Sequence, residues 1–261
     1  MRHDHDRGLD YDLPRLINRR RAVGLFAGGV GSAVLAACGS SGGNDTPATT
    51  TAASKASGAA EIPEETAGPF PGDGSNGPNV LTESGVVRKD ISASFGDASG
   101  KAEGVATTVE MTLLDVAAGG TPLAGAAVYL WHCDREGRYS LYDGEVAGEN
   151  YLRGVQISGK DGKLAFATIF PGAYAGRWPH MHFEVYDGRD LTTKLTTSQL
   201  AIPQDICEQI YATSGYEQSV QSLSQTSLDS DNVFSDGYAS QLAKVSGGAA
   251  DGVTLRLNVG V

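Results

Sequence analysis

Histidine is sparse in this chain, with five among 261 residues. His3 and His5 sit at the very start, His132 stands alone, and His180 and His182 lie two residues apart. Cysteine is rarer still: three residues without a Cys-x-x-Cys spacing, which argues against a zinc ribbon and against a disulfide-dense scaffold. Basic charge is also in deficit. The 20 Lys and Arg face 31 Asp and Glu, and the net charge of -11 excludes nucleic acid as an expected partner while leaving a small neutral or anionic molecule open. No internal repeat is evident.

A long hydrophobic run is missing as well. The apolar stretch Ala22–Ala37 is too short and too rich in Gly and Ala for a membrane span. It follows Arg19, Arg20 and Arg21, a pairing that resembles a twin-arginine export signal, and it ends in Leu35-Ala36-Ala37-Cys38, which resembles a lipoprotein cleavage site. Residues 1–37 are therefore expected to be a signal peptide, with Cys38 as the lipid anchor and the only link to a membrane. Residues 38–61 read as a flexible Gly/Ser/Thr/Ala tether. Without residues 1–37 the chain keeps 14 basic against 27 acidic residues and is more acidic still. The expectation is an exported protein, where a disulfide is possible; Cys133 and Cys207 then form an even pair and are expected to be bridged.

The remaining residues, 62–261, suffice for one sizeable core. Strand patterns dominate. In TTVEMTLLDV (107–116), Val109, Met111 and Leu113 share one face, and Gly-Gly-Thr-Pro follows as a turn. AAVYLWHC (126–133) places Val128, Leu130 and His132 on one face and Tyr129, Trp131 and Cys133 on the other. Lys160-Asp161-Gly162-Lys163 reads as a hairpin turn before LAFATIF. HMHFEVY, the run from Leu191 through LTTSQLAI, and the closing VTLRLNVGV are further strands. PQDICEQIYA (203–212) predicts a short helix, and the Ser/Gln/Asp-rich stretch 214–236 a surface excursion. Short strands joined by Gly, Asp and Pro turns indicate a mainly β fold, an antiparallel sandwich or barrel.

The chemistry centres on FPGAYAGRWPHMHFEVY (170–186). Residues i and i+2 of a strand point to the same side, so His180 and His182 can reach one metal ion while Met181 points away. Two completions of such a site are open. Glu184 continues the same face and would give a 2-His-1-carboxylate set for Fe(II) or zinc, although three ligands in line along one strand do not easily form a facial triangle. Otherwise it is a solvated strand residue. Alternatively, Tyr139 in DREGRYS and Tyr174 in PGAY supply phenolates, hard anionic donors suited to Fe(III). A free tyrosine titrates near ~10, and a trivalent ion lowers that greatly.

VYLWHCDREGRYSLYD, DGKLAFATIFPGAY and RWPHMHF, in that order and preceded by EETAGPFP (64–71) and RKDI (88–91), resemble the intradiol ring-cleavage dioxygenases. The resemblance covers most of 62–205. It implies a β-sandwich and a mononuclear non-haem Fe(III) bound by Tyr139, Tyr174, His180 and His182. It also implies cleavage of a catechol-type ring by O2, with Tyr174 taking up a substrate proton. Arg177 and Gln199 would stabilise negative charge developing on the ring. Where the family pattern reads RPAHIHF, this chain has RWPHMHF, which places Trp178 either on the pocket wall or in the interior. Phe70 falls where the substrate ring would approach, Tyr142 is either a pocket residue or plain packing, and His132 is assigned to packing. The alternatives are a non-catalytic β-sandwich binding module and the His180/His182/Glu184 metalloenzyme. Oligomeric state is left open.

Overall fold

A computed structural model describes residues 60–261. The expected signal segment, Cys38 and nearly all of the tether lie outside the described residues. Among the described residues, nine strands form two sheets. They are β1 (Ala106–Asp115), β2 (Thr121–Pro122), β3 (Ala127–Trp131), β4 (Arg153–Ile157), β5 (Lys163–Ile169), β6 (His180–Tyr186), β7 (Lys194–Ala201), β8 (Lys244–Gly248) and β9 (Gly252–Gly260). Two helices, α1 (Gln204–Tyr211) and α2 (Glu217–Ser224), lie between β7 and β8.

The first sheet runs β2-β1-β9-β8, with β5 also paired to β1, and the second runs β4-β3-β6-β7. Val109, Met111 and Leu113 of β1 are buried together with Val128 and Leu130 of β3, Met181, Phe183 and Val185 of β6, and Leu255 and Leu257 of β9. Full burial of each such side chain contributes about 1.5–3 kcal/mol, so the two-residue alternation of these strands drives the closure of the sandwich. The expected sandwich is antiparallel throughout. One pairing differs, because β9 runs parallel to β1 from Thr107↔Val253 to Leu114↔Gly260.

Three local expectations need correction. The turn around Lys160–Lys163 closes as a turn, with Gly159 N–H donating to the Lys163 carbonyl at 2.9 Å, but it makes no hairpin. Its flanking strands β4 and β5 belong to different sheets. Cys133 and Cys207 are free, not bridged. Cys133 packs with Tyr129 and Trp131 at the end of β3, and Cys207 sits on α1 among the main core residues. The stretch 214–236 is also more than a surface excursion. It contains α2 and a wholly buried carboxylate, Asp231.

The second sheet is covered on both faces, and that places the site. On β6 the odd positions enter the inter-sheet core, and every position from His180 to Tyr186 is buried. Residues 67–71 lie over the other face, where Tyr129 Oη donates to the Pro71 carbonyl at 2.7 Å, and residues 62–65 run along the edge of β7. Glu65 N–H donates to the Thr197 carbonyl at 2.7 Å, and Ser198 Oγ donates to the Pro63 carbonyl at 2.7 Å. Glu61 pairs with Gly260 just before it.

Candidate metal centre

Three pieces of backbone bring the donor atoms together. The loop before Tyr139 is shaped by Asp134, whose Oδ1 accepts the Glu136 and Arg138 N–H groups at 3.0 and 2.9 Å, and whose Oδ2 accepts Arg138 Nε at 2.9 Å. Gly137, at φ +85°, makes the turn; a Cβ there would lie 3.3 Å from Tyr174 Cβ, so the glycine also permits the close approach of the two tyrosine-bearing segments. Tyr139 N–H is held by the Asp143 carboxylate. The Tyr174 turn is fixed from two sides: Gly172 N–H donates to the Asp134 carbonyl at 2.9 Å, and Ala173 N–H to Ser219 Oγ of α2 at 2.9 Å. Strand β6 presents His180 and His182 to the same face, as the two-residue period requires.

The result is a chain of close contacts. Tyr139 Oη lies 3.1 Å from Tyr174 Oη, Tyr174 Oη 3.1 Å from His180 Nε2, and His180 Nε2 3.0 Å from His182 Nε2. His180 Nδ1 faces the Trp178 carbonyl, which can only accept, so Nδ1 carries the proton and Nε2 turns a bare lone pair to the centre. His182 stacks on Trp131, its cross-strand neighbour, at 5.0 Å between ring centres and 8° between planes. Its Nδ1 is buried without a hydrogen-bond partner. Gly68, at φ +71°, passes so close that a Cβ would stand 3.2 Å from His182 Cε1.

Burial dominates the electrostatics. It holds both imidazoles well below the usual histidine range, and the Arg177 charge pushes the same way, so both rings are neutral and ligand-competent. It also raises both phenols: Tyr139 well above its ordinary value, with Tyr174 adding to the shift, and Tyr174 likewise, with Arg177 opposing. Two phenols that resist ionisation beside two neutral imidazoles have donor capacity without a charge to balance it. That donor set fits a hard trivalent cation, which would ionise both phenols.

Arg177 is buried. Its Nε donates to Asp231 Oδ2 at 2.9 Å and its Nη2 to Gln199 Oε1 at 2.6 Å, and its Nη1 lies 3.5 Å from His180 Nε2. Gln199 faces His182 across β6 and β7, but its Nε2 donates to the Thr66 carbonyl at 2.9 Å. Both ends of its amide are therefore engaged, one of them with Arg177. Trp178 is interior: its Nε1 donates to the Ile202 carbonyl at 2.8 Å, and its ring packs with Val233 and Phe234. It also borders a cavity of about 590 Å³ between α1 and α2, which neither Tyr139 nor Tyr174 lines. Phe70 lies 5.1 Å from both Tyr139 and Tyr142, ring centre to ring centre, while Tyr142 Oη accepts the Gly72 N–H at 2.9 Å. His132 is a packed residue, bonded through Nε2 to Thr168 Oγ1 at 2.8 Å.

Glu184 is neither a ligand nor solvated. It is fully buried, with Oε1 accepting Lys194 Nζ at 2.7 Å and Oε2 accepting Tyr186 Oη at 2.6 Å. No group of three or more His, Cys, Asp or Glu able to hold a metal exists among the described residues, which removes the His180/His182/Glu184 alternative. Sequence reasoning missed two participants. Asp231 is one, hidden in a run of similar polar residues. Arg153 is the other, a buried guanidinium that donates to the Phe70, Pro71 and Ser140 carbonyls at 2.8–2.9 Å and clamps the segment over Tyr139.

Comparison with known proteins accords with this picture. A family model described as "Dioxygenase" matches residues 76–235, more than half of the chain and all four donor residues. Catechol 1,2-dioxygenase 1 of Acinetobacter lwoffii is 35% identical over 97 residues, 30% of this chain and 30% of that protein. The matches thus span less than a third of the curated relatives' own length. An intradiol ring-cleavage dioxygenase of Tetranychus urticae superposes with a TM-score of 0.60 at 23% identity, over 77% of this chain and 94% of that one. The dioxygenase domain of a dioxygenase–carbohydrate-binding fusion protein from Streptomyces sp. SirexAA-E gives a TM-score of 0.51 at 20% identity, over 77% and 98%. At these identities the structural likeness is one of fold. With the family match over the segment that carries Tyr139, Tyr174, His180 and His182, the chain belongs to the intradiol ring-cleavage dioxygenase family.

Proposed function

We propose that this chain cleaves the ring of a catechol-type aromatic between its two hydroxyl-bearing carbons with O2, giving a muconate-type diacid, with ferric iron held by Tyr139, Tyr174, His180 and His182. The observation that carries this reading is the contact chain of 3.1, 3.1 and 3.0 Å that joins two phenol oxygens to two imidazole nitrogens. When bound, the ferric ion supplies Lewis acidity and a template for the substrate oxygens. Each residue around the cluster then has a definable task. Tyr174 Oη lies between Tyr139 and His180, and burial favours its protonated form; ionised by a bound cation it would be a phenolate whose surroundings favour protonation, and so the acceptor for a proton from an incoming catechol hydroxyl. Arg177 offers a fixed positive charge, through Nη1, to negative charge that develops on the ring. Phe70 presents an aromatic surface beside Tyr139 and Tyr142 against which a flat ring can lie. Trp131 backs His182 and closes the cluster to water from the sheet side.

The test is iron analysis of the purified protein, its visible spectrum, and oxygen uptake on a panel of catechols with product masses. Tyrosinate–ferric charge transfer makes the protein red-brown, and uptake is matched by a diacid. An iron-loaded protein that stays colourless, or consumes no oxygen with any catechol, overturns the reading. Export and lipid anchoring belong to the same proposal, on the strength of Arg19–Arg21 and the Leu35–Cys38 motif. They are tested by fractionating cells that express Arg20→Lys/Arg21→Lys or Cys38→Ala. An exported site points to extracellular catechols, such as those released from plant material.

A further inference from the structure

The guanidinium of Arg177 is planar, so two anchored nitrogens fix where the third points. One anchor is Gln199, already tied to Thr66. The other comes from a region that no motif marks. Asp231 is wholly buried, and its Oδ2 accepts both Arg177 Nε at 2.9 Å and the backbone N–H of Trp178 at 2.7 Å. Its Oδ1 accepts the N–H groups of Val233 and Phe234 at 2.8 and 3.3 Å. Its own N–H donates to the Ser227 carbonyl at 2.9 Å. Every acceptor site of this carboxylate that faces a donor is used, and one oxygen grips two consecutive residues of the segment that leads into His180. The Trp178 donor is a backbone N–H, which a proline at that position would lack. Close by, Phe234 lies 6.4 Å from the His180 ring, edge to face, and Gln241 Nε2 donates to the Gln199 carbonyl at 3.2 Å.

We infer that Asp231 is a positioning residue: it aims Arg177 Nη1 at the donor cluster, which makes the segment 225–243 a working part of the site. Asp231 itself does not touch the cluster. It acts through Arg177, by closing the one rotation that Gln199 alone leaves free. Only the kinetic part of the test rests on the proposed ring cleavage; the geometric part stands without it.

The test is a double-substitution cycle of Arg177→Gln and Asp231→Asn, read in two ways. With iron-loaded protein and catechol, each single substitution lowers kcat per bound iron by about 10²-fold, the cost of losing or misplacing one charge-stabilising donor. KM changes far less. The double variant falls by the same ~10² and not by the product ~10⁴, because the two act as one unit. The double variant also avoids a lone buried charge, so it folds if the single Asp231→Asn does not. Kinetic effects that multiply in the double variant, or an Asp231→Asn kcat within twofold of the wild type, overturn the inference. The second reading uses iron-free protein. In ¹⁵N spectra the Arg177 Nε–H and the Trp178 amide are slow to exchange in the wild type, and Asp231→Asn makes both exchange faster while amides of β1 are unchanged. Equal exchange in wild type and variant overturns the inference as well. A wild type with no turnover on any catechol sinks the ring-cleavage reading alone, and the exchange measurement then decides this one.

Discussion

Strand β6 and the segment from 225 to 243 deliver side chains to the same buried neighbourhood by opposite means. In β6 the two-residue period does the placing: His180 and His182 face the cluster because Met181 and Phe183 face the core. The register with β3 then brings Trp131 against His182. In 225–243 no periodicity operates. Asp231 arrives through local turns, with the Ser227 carbonyl and the Val233 and Phe234 amides shaping the chain around it. A strand specifies position through the lattice it belongs to, whereas a loop must specify it through individual hydrogen bonds. The same contrast explains why one half of the site is visible in the sequence and the other is not.

The comparison can be broken from either side. The largest effect is expected on the strand: His182→Ala leaves iron content and oxygen uptake at background, measured by metal analysis and an oxygen electrode. The next is in the loop's own small core. Trp178→Ala empties a space shared with Val233 and Phe234 and destabilises the fold by about 3–5 kcal/mol in chemical denaturation. Glu184→Gln comes third. It weakens the pair with Lys194 and the bond from Tyr186, a loss of about 1–3 kcal/mol, while the visible band of the iron-loaded protein keeps its position. A shifted band would return Glu184 to the metal. The smallest effect is the most specific to the cysteines. Both are buried and free, so a thiol reductant leaves the unfolding midpoint where it was.

The histidine pair, the two tyrosines, the core faces of β1 and β6 and the helix α1 are legible in the sequence, because each rests on short-range spacing or on a run of motifs in order. Four features are not legible, for separate physical reasons. Asp231 stands among Asp229 and Asp236, and only the path of the loop decides which carboxylate goes inside. Glu184 reads as solvated because alternation says which residues share a face but not what lies over it; here residues 67–71 pack on that side of the sheet, against its neighbour Tyr129. Cysteine parity carries no information about distance, so Cys133 and Cys207 can be even in number and still far apart in role. The turn at Lys160–Lys163 is local, whereas the partners of β4 and β5 are chosen by the packing of two whole sheets.

The parallel pairing of β1 with β9 has a consequence in time. The second sheet, which carries both histidines, has all four of its strands once Ala201 has been made. The first sheet has a gap beside its central strand until residue 260 is available, because β9 fills that edge of β1. Joining strands so far apart in sequence is slow, since the loop between them must be ordered before the contacts return anything. On the ribosome, the sheet that carries the ligands is therefore ready before the sheet that completes its core, and loss of even the last strand would expose the middle of the sandwich rather than trim its end.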